Sequence, residues 1–285
     1  MKLGLTTESF ESAIQGGRMN LIKIVEFAHQ HGFEGLQIVN RKEIWHKDIS
    51  DDVKMNLMRM RERKIRYFSY GVRQDLADQD DKVRWQAMNK VREAVLLASI
   101  TNVQDVCIYG SGLSDTQMDW ETCKPRLLKG LKQCLELAER KRISLCLVNG
   151  GTACNGSDVL NSILNEIGSE YLKISLDIAA FLLVDEEPAD AVRTLVGSIE
   201  NVYFTDVKNT DTYIGNEWTT VHGRQLMPCA LGEGIVPQRE VLYTLKQIEF
   251  DGFVSVLYQG EEEPAVGIER SANYLKTMLR EIRTP

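Results

Sequence analysis

Short apolar, β-like runs alternate with helical patterns eight times along the chain, and that repeat leaves few architectures open. "KLGLTT" precedes "LIKIVEFAHQHG", where Leu21, Ile24, Val25 and Ala28 recur at helical spacing until Gly32 stops the pattern. "FEGLQIV", "IRYFSYG", "DVCIYGSG", "ISLCLVNGG", "LKISLDIA", "NVYFTDVKN" and "GFVSVLYQG" supply the other strands, each followed by a helix-like segment, the last being "IERSANYLKTMLREI". Such alternation argues for a parallel α/β fold. Eight units in 285 residues fit a single TIM barrel, (β/α)8, whose typical size is about 250 residues. A doubly wound open sheet is the rival, and the eightfold count with a helix after the last strand favours the barrel. No composition shift, Pro/Ser-rich linker or charge block marks a boundary, so residues 1–285 are expected to form one domain.

Composition excludes several partners. The net charge of -7, from 34 basic against 41 acidic residues, opposes a sequence-independent grip on phosphate backbones, so nucleic acid is not expected. Six cysteines form no C-x-x-C pair, and several lie in apolar runs as reduced core cysteines do, which points to the cytoplasm. "MKLGLTTESF" lacks the apolar core of a signal peptide, and no stretch approaches the roughly 18 apolar residues of a spanning helix. A soluble protein without a membrane partner is expected; the oligomeric state is left open, a homo-oligomer included.

In such a barrel, function sits at the C-terminal ends of the strands. There the chain places Thr6, Thr7 and Glu8; Gln37 and Asn40; Tyr70 and Arg73; Tyr109 and Ser111; Asn149; Asp177; Asp206, Lys208 and Asn209; and Tyr258 and Gln259. Amides, hydroxyls and a few charges suit a polyhydroxylated ligand, whose hydroxyls each need a donor and an acceptor. Strand ends in any barrel are also polar because they meet solvent. Asp177 is sharper: in "SLDIAAFLL" one carboxylate ends an apolar run, where desolvation is costly unless a metal, a lysine or a ligand pairs with it.

"KLGLTTESF", "GFEGLQI", "ISLCLVN", "LDIAAFLL", "FTDVKN" and "ALGEGIVP" followed by "EFDGFVSVLY" together resemble the sugar phosphate isomerase/epimerase family with its xylose isomerase-like barrel, from about Lys2 to the last helix. The resemblance implies an isomerase or epimerase acting on a small sugar or polyol, phosphorylated or not. It also implies one divalent metal, held by glutamate, aspartate, histidine and glutamate at the ends of strands five to eight. This sequence departs from that set: Val148 and Leu257 stand at the two glutamate positions, and Ala180 stands where a further histidine commonly follows. At strand seven the family's H-x-K-D pattern lies on Asp206-Val207-Lys208-Asn209, or in a shifted register on Tyr203; the first is preferred.

Asp177 then resembles the one survivor of a metal site, with Asp206 beside it. Neither Val nor Leu offers a lone pair, so no metal cofactor is expected beyond weak binding of a hydrated divalent ion at Asp177 and Asp206. Lys208 is the expected counter-charge, making Asp177, Lys208 and Asp206 the candidate catalytic residues. Glu8, Gln37, Tyr109, Asn149, His222, Arg224 and Tyr258 are the candidate substrate contacts, His222 and Arg224 from a long loop after strand seven. His29 and His31 read as helix-end residues, Glu233 as a turn residue, and Cys146 as packing without an activating histidine. Trp45 and His46 after strand two either line the mouth or pack a loop. A non-catalytic sugar-binding or partner subunit is the competing reading; the related apurinic endonuclease branch, with its histidine-rich zinc cluster, is excluded by a total of four histidines.

Overall fold

Apolar residues alternate with a period of two along each short run because the strands close into a barrel with one face against helices and the other facing inward. The computed structural model describes residues 1–39, 49–109, 120–151, 153–212 and 215–283, with the side chains of 49–54 and 283 excepted. Asn40, Trp45, His46 and Ser111 lie outside the described residues. The strands are β1 (Lys2–Thr6), β2 (Gly35–Val39), β3 (Arg66–Val72), β4 (Asp105–Tyr109), β5 (Ser144–Val148), β6 (Leu172–Asp177), β7 (Ile199–Phe204), β8 (Asp206–Asn209), β9 (Trp218–Thr219), β10 (Gln225–Cys229) and β11 (Phe253–Val256). Eight of them close in the order β1-β11-β7-β6-β5-β4-β3-β2, as the alternation requires, and every described pairing in the barrel is parallel.

Outward-facing Leu5, Leu36, Ile108, Leu147, Leu176, Val202 and Val254 join the main core beneath the helices. The helix Leu21–Gln30 shows why the sequence reads so directly: Asn20 caps it, its side chain accepting from the Lys23 N–H at 3.0 Å, and Leu21, Ile24, Val25 and Ala28 are its buried residues. Inside the barrel, stacked Phe68 and Phe253 (ring centroids 4.0 Å apart) lie toward the strand starts. Gly35 is required beside them, since a Cβ there would lie 2.3 Å from the Phe253 ring.

The seventh unit differs from the sequence reading. "NVYFTDVKN" suggests one strand, but β7 ends at Phe204 and Asp206–Asn209 joins a separate sheet of order β8-β10-β9. Lys208 pairs there with Met227 and Asp206 with Cys229, antiparallel. The expected long loop is therefore partly ordered, with His222 in the turn between β9 and β10.

Candidate active site

Asp177 is the last residue of β6 and is almost fully buried. Asn149, just past β5, holds its backbone from both sides: Asn149 Oδ1 accepts from the Asp177 N–H at 2.6 Å, and Nδ2 donates to the Asp177 carbonyl at 3.0 Å and to Asn155 Oδ1 at 3.1 Å. One carboxylate oxygen, Oδ1, accepts from the Ala179 N–H at 3.1 Å and from the Thr205 hydroxyl. Burial raises the pKa of Asp177 from the usual 3.8 to about 6, against the opposing hydrogen bonds from Thr205, Ala179 and Ala180; the Glu8 charge adds to the rise. Such a carboxylate is ionised at neutral pH yet basic enough to take a proton from carbon.

Glu8 lies in the single 3-10 turn after β1 and is also buried. Arg73 Nη1 and the Tyr109 hydroxyl both donate to it at 2.5 Å. The guanidinium also stands 5.2 Å from the centroid of the Tyr109 ring and 3.6 Å from Glu11. Burial lowers the pKa of Arg73, but the charges of Glu8, Tyr109 and Glu11 outweigh it and the net direction is upward. Burial and Glu8 push the Tyr109 phenol well up. Arg73 is a functional candidate that the sequence marks only as a strand-end residue, because its ion pair with Glu8 joins positions 65 apart.

Between these groups the mouth has an apolar floor of Val148, Leu257, Tyr203, Cys107 and Cys146, with Tyr109 packed against it. The Tyr203 oxygen accepts from Gln37 Nε2 at 2.6 Å, and Gln37 also reaches Ser69 Oγ at 3.2 Å. Tyr203 pairs in register with Asp177. Tyr203, not Asp206, thus fills the strand-seven place in the layer of Val148 and Leu257, and the preferred register is corrected. Asp206 turns away instead: its carboxylate accepts from the N–H groups of Gly232 at 2.9 Å, Gly234 at 3.0 Å, Val207 at 3.0 Å and Val236 at 3.2 Å. Burial raises its pKa while these N–H groups oppose the rise.

The expected Asp177–Lys208 pairing is not formed. Lys208 is exposed on β8, and among the described residues it makes no ion pair with Asp177 or Asp206. The cause is the break at Thr205, whose side chain turns to Asp177 while the following residues leave the barrel. His222 and Arg224 gather around Asp185, Arg224 at 3.6 Å, with the imidazole largely exposed. The Tyr258 hydroxyl accepts from the Glu262 N–H at 3.0 Å. No described hydrogen bond or ion pair joins these three to Asp177. His31 stacks on Phe27, and Glu233 pairs with Arg270 at 3.0 Å, both structural as expected.

The model of the xylose isomerase-like TIM barrel matches residues 25–278. The chain belongs to that family. It is 21% identical over 212 residues to L-ribulose-5-phosphate 3-epimerase UlaE of Escherichia coli strain ATCC 8739, covering 72% of this chain and 68% of the relative. The fold superposes with a TM-score of 0.77 on the probable 3-DHS dehydratase AsbF from Bacillus anthracis, at 18% identity over 97% of this chain and 99% of that one. It superposes with a TM-score of 0.74 on a D-tagatose 3-epimerase-like protein, at 19% identity over 99% and 100% of the two chains.

In this xylose isomerase-like barrel the positions to which the sequence resemblance assigns the ligand set hold Val148, Asp177, Tyr203 and Leu257. Val148 and Leu257 have no donor atom, and Tyr203 is a buried phenol whose pKa burial drives well up. Of these four positions only Asp177 carries an anionic oxygen; Glu8, the other buried carboxylate acting on it, is held by Arg73 and Tyr109. All six cysteines are buried and none is in a disulfide, and among the described residues no helix is long and apolar enough to cross a membrane.

Proposed function

We propose that this barrel is an isomerase or epimerase of a small sugar or polyol, phosphorylated or not, that moves a proton through Asp177 without the family's divalent ion. The observation that carries this reading is the Asp177 carboxylate itself: clamped by Asn149, buried at the end of β6 and raised to about pKa 6. A bound ketose presents the C–H beside its carbonyl to Asp177. The C–H bond breaks, the proton goes to the carboxylate, and the electron pair moves onto the carbonyl oxygen to give an enediolate. Arg73, whose guanidinium keeps N–H groups beyond the one given to Glu8, supplies the positive charge and a donor that such an oxygen needs. Return of the proton to the neighbouring carbon, with the hydroxyl proton passing from the first oxygen to the second as the carbonyl reforms, is isomerisation and uses Asp177 as the one carbon base. Return to the opposite face of the first carbon is epimerisation and needs a second acid, for which Glu8 is the other buried carboxylate electrostatically coupled to Asp177. Gln37 and Tyr203 complete the polar edge of the floor, whereas Asp206 and Lys208 have no part in this scheme.

The hydrocarbon at positions 148 and 257 supports a second reading, a sugar-binding barrel without catalysis. Incubation in D2O with a panel of ketoses and ketose phosphates, followed by proton NMR, separates the two. Deuterium entering the carbon beside the carbonyl with the wild type and not with Asp177→Asn supports the enzyme. Binding without exchange across the panel leaves the binding reading standing.

A further inference from the structure

TIM-barrel interiors are normally layers of bulky branched side chains, but this one has a polar layer beneath the mouth. Asp105 and Cys107 from β4, Cys146 from β5, Ser69 from β3, Ser175 from β6 and Asn201 from β7 are all buried there. Cys107 and Cys146 are register partners on adjacent strands. One oxygen of Asp105 and the two sulfurs all lie within 4.8 Å of one another. Cys107 Sγ is 3.1 Å from Ser69 Oγ and 3.1 Å from Ser175 Oγ. Asn201 Nδ2 donates to Asp105 Oδ1 at 3.2 Å and reaches Cys107 Sγ at 3.7 Å. No lysine or arginine pairs with Asp105 among the described residues, and the buried Tyr67 hydroxyl, which feels the Asp105 charge, has no hydrogen-bond partner. Three groups able to carry negative charge thus converge in the buried interior with no cation beside them among the described residues, a costly arrangement unless they are protonated or coordinate an ion.

We propose that Asp105, Cys107 and Cys146 form a metal site for a thiophilic divalent ion of the zinc type, inside the barrel beneath the floor of the mouth. The spacing suits it: Zn–S bonds of about 2.3 Å at tetrahedral angles put sulfurs about 3.8 Å apart, so the donors close on an ion with side-chain adjustment alone. Two thiolates favour zinc, cobalt or cadmium over magnesium or calcium. Ser69, Ser175 and Asn201 orient the ligands through the hydrogen bonds above, as outer partners do in metal sites. Cys107 and Cys146 also floor the mouth, but Asp177, Glu8, Arg73 and Tyr109 take no part, so metal uptake is read independently of the proposed activity.

Because the site is fully enclosed, the protein is expressed in cobalt-supplemented medium, and separately refolded from urea with Co2+ alone. The expected result is a near-ultraviolet thiolate-to-cobalt charge-transfer band, about one cobalt per chain by elemental analysis, and displacement of the band by Cd2+ on refolding. Cys146→Ser and Cys107→Ser should each remove most of the band, while Cys229→Ser, at a buried cysteine outside the layer, keeps it; near-ultraviolet circular dichroism verifies folding of each variant. Folded wild type that takes up no cobalt by either route overturns the proposal without any variant being needed. A band that survives both Cys107→Ser and Cys146→Ser overturns it equally.

Discussion

Replacing Asp177 by Asn removes a charge that the fold holds at a cost, and the cost is set by burial. The carboxyl is raised from 3.8 to about 6, which at about 1.4 kcal/mol per pH unit corresponds to about 3 kcal/mol of preference for the neutral form. The folded state therefore keeps a proton that the unfolded chain has already released between these two values, and wild-type stability falls as pH rises through that window. An asparagine retains an oxygen to accept from Thr205 and the Ala179 N–H but cannot ionise. In urea unfolding measured from about pH 4 to about pH 8, the variant should gain on the wild type by about 3 kcal/mol across the range, with most of the change complete by about pH 6. Other titrating groups, Asp206 among them, are common to both proteins and cancel in the difference. Stabilisation accompanied by lost activity is the pattern of a strained functional group. A stability difference that stays flat with pH would refute the desolvation reasoning, and one of opposite slope would mean that an unrecognised cation pairs with the carboxylate.

Arg73→Met leaves Glu8 buried against Tyr109 without its cation and should cost about 3 kcal/mol by thermal or urea unfolding, at the low end for a buried pair because the arginine side chain is 32% exposed. Adding Glu8→Gln to it should recover much of that loss. Asp206→Ala strips the acceptor from four backbone N–H groups of the turn after β10 and the start of β8, and should cost about 2–4 kcal/mol in urea unfolding. Lys208→Ala, on the exposed face of β8, should stay within about 0.5 kcal/mol of wild type in the same assay. Under the proposed metal-free mechanism, adding Mn2+, Mg2+ or Co2+ to the assay should leave the exchange rate on any active ketose unchanged; a large stimulation would contradict it.

The barrel strands carry their β-like runs in the sequence because their outward faces supply buried Leu, Ile, Val and aromatic side chains to the core beneath the helices. Asp177 was legible for the same reason in reverse, as a charge at the end of such a run. What failed was the seventh unit. Tyr203 and Asp206 lie in one continuous β pattern, and no local signal tells that the chain leaves the barrel at Thr205, because that break is fixed by two distant partners, Asp177 for Thr205 and the Gly232–Val236 turn for Asp206. The Lys208 pairing failed with it. The Glu8–Arg73–Tyr109 group and the polar layer around Cys107 were hidden because each is assembled from several strands, and a single sequence shows which residues end a strand but not which of them meet.

The pH dependence of ketose exchange tests the central role of Asp177 most directly. With a substrate identified by deuterium uptake, kcat/KM reports the ionisation of the free enzyme. It should rise about tenfold per pH unit at low pH and level off near the ionisation of Asp177, about 6. The level arm should vanish with Asp177→Asn. A profile that levels off two units lower, at the ordinary aspartate value, or one that persists in Asp177→Asn, would contradict the assignment of Asp177 as the base.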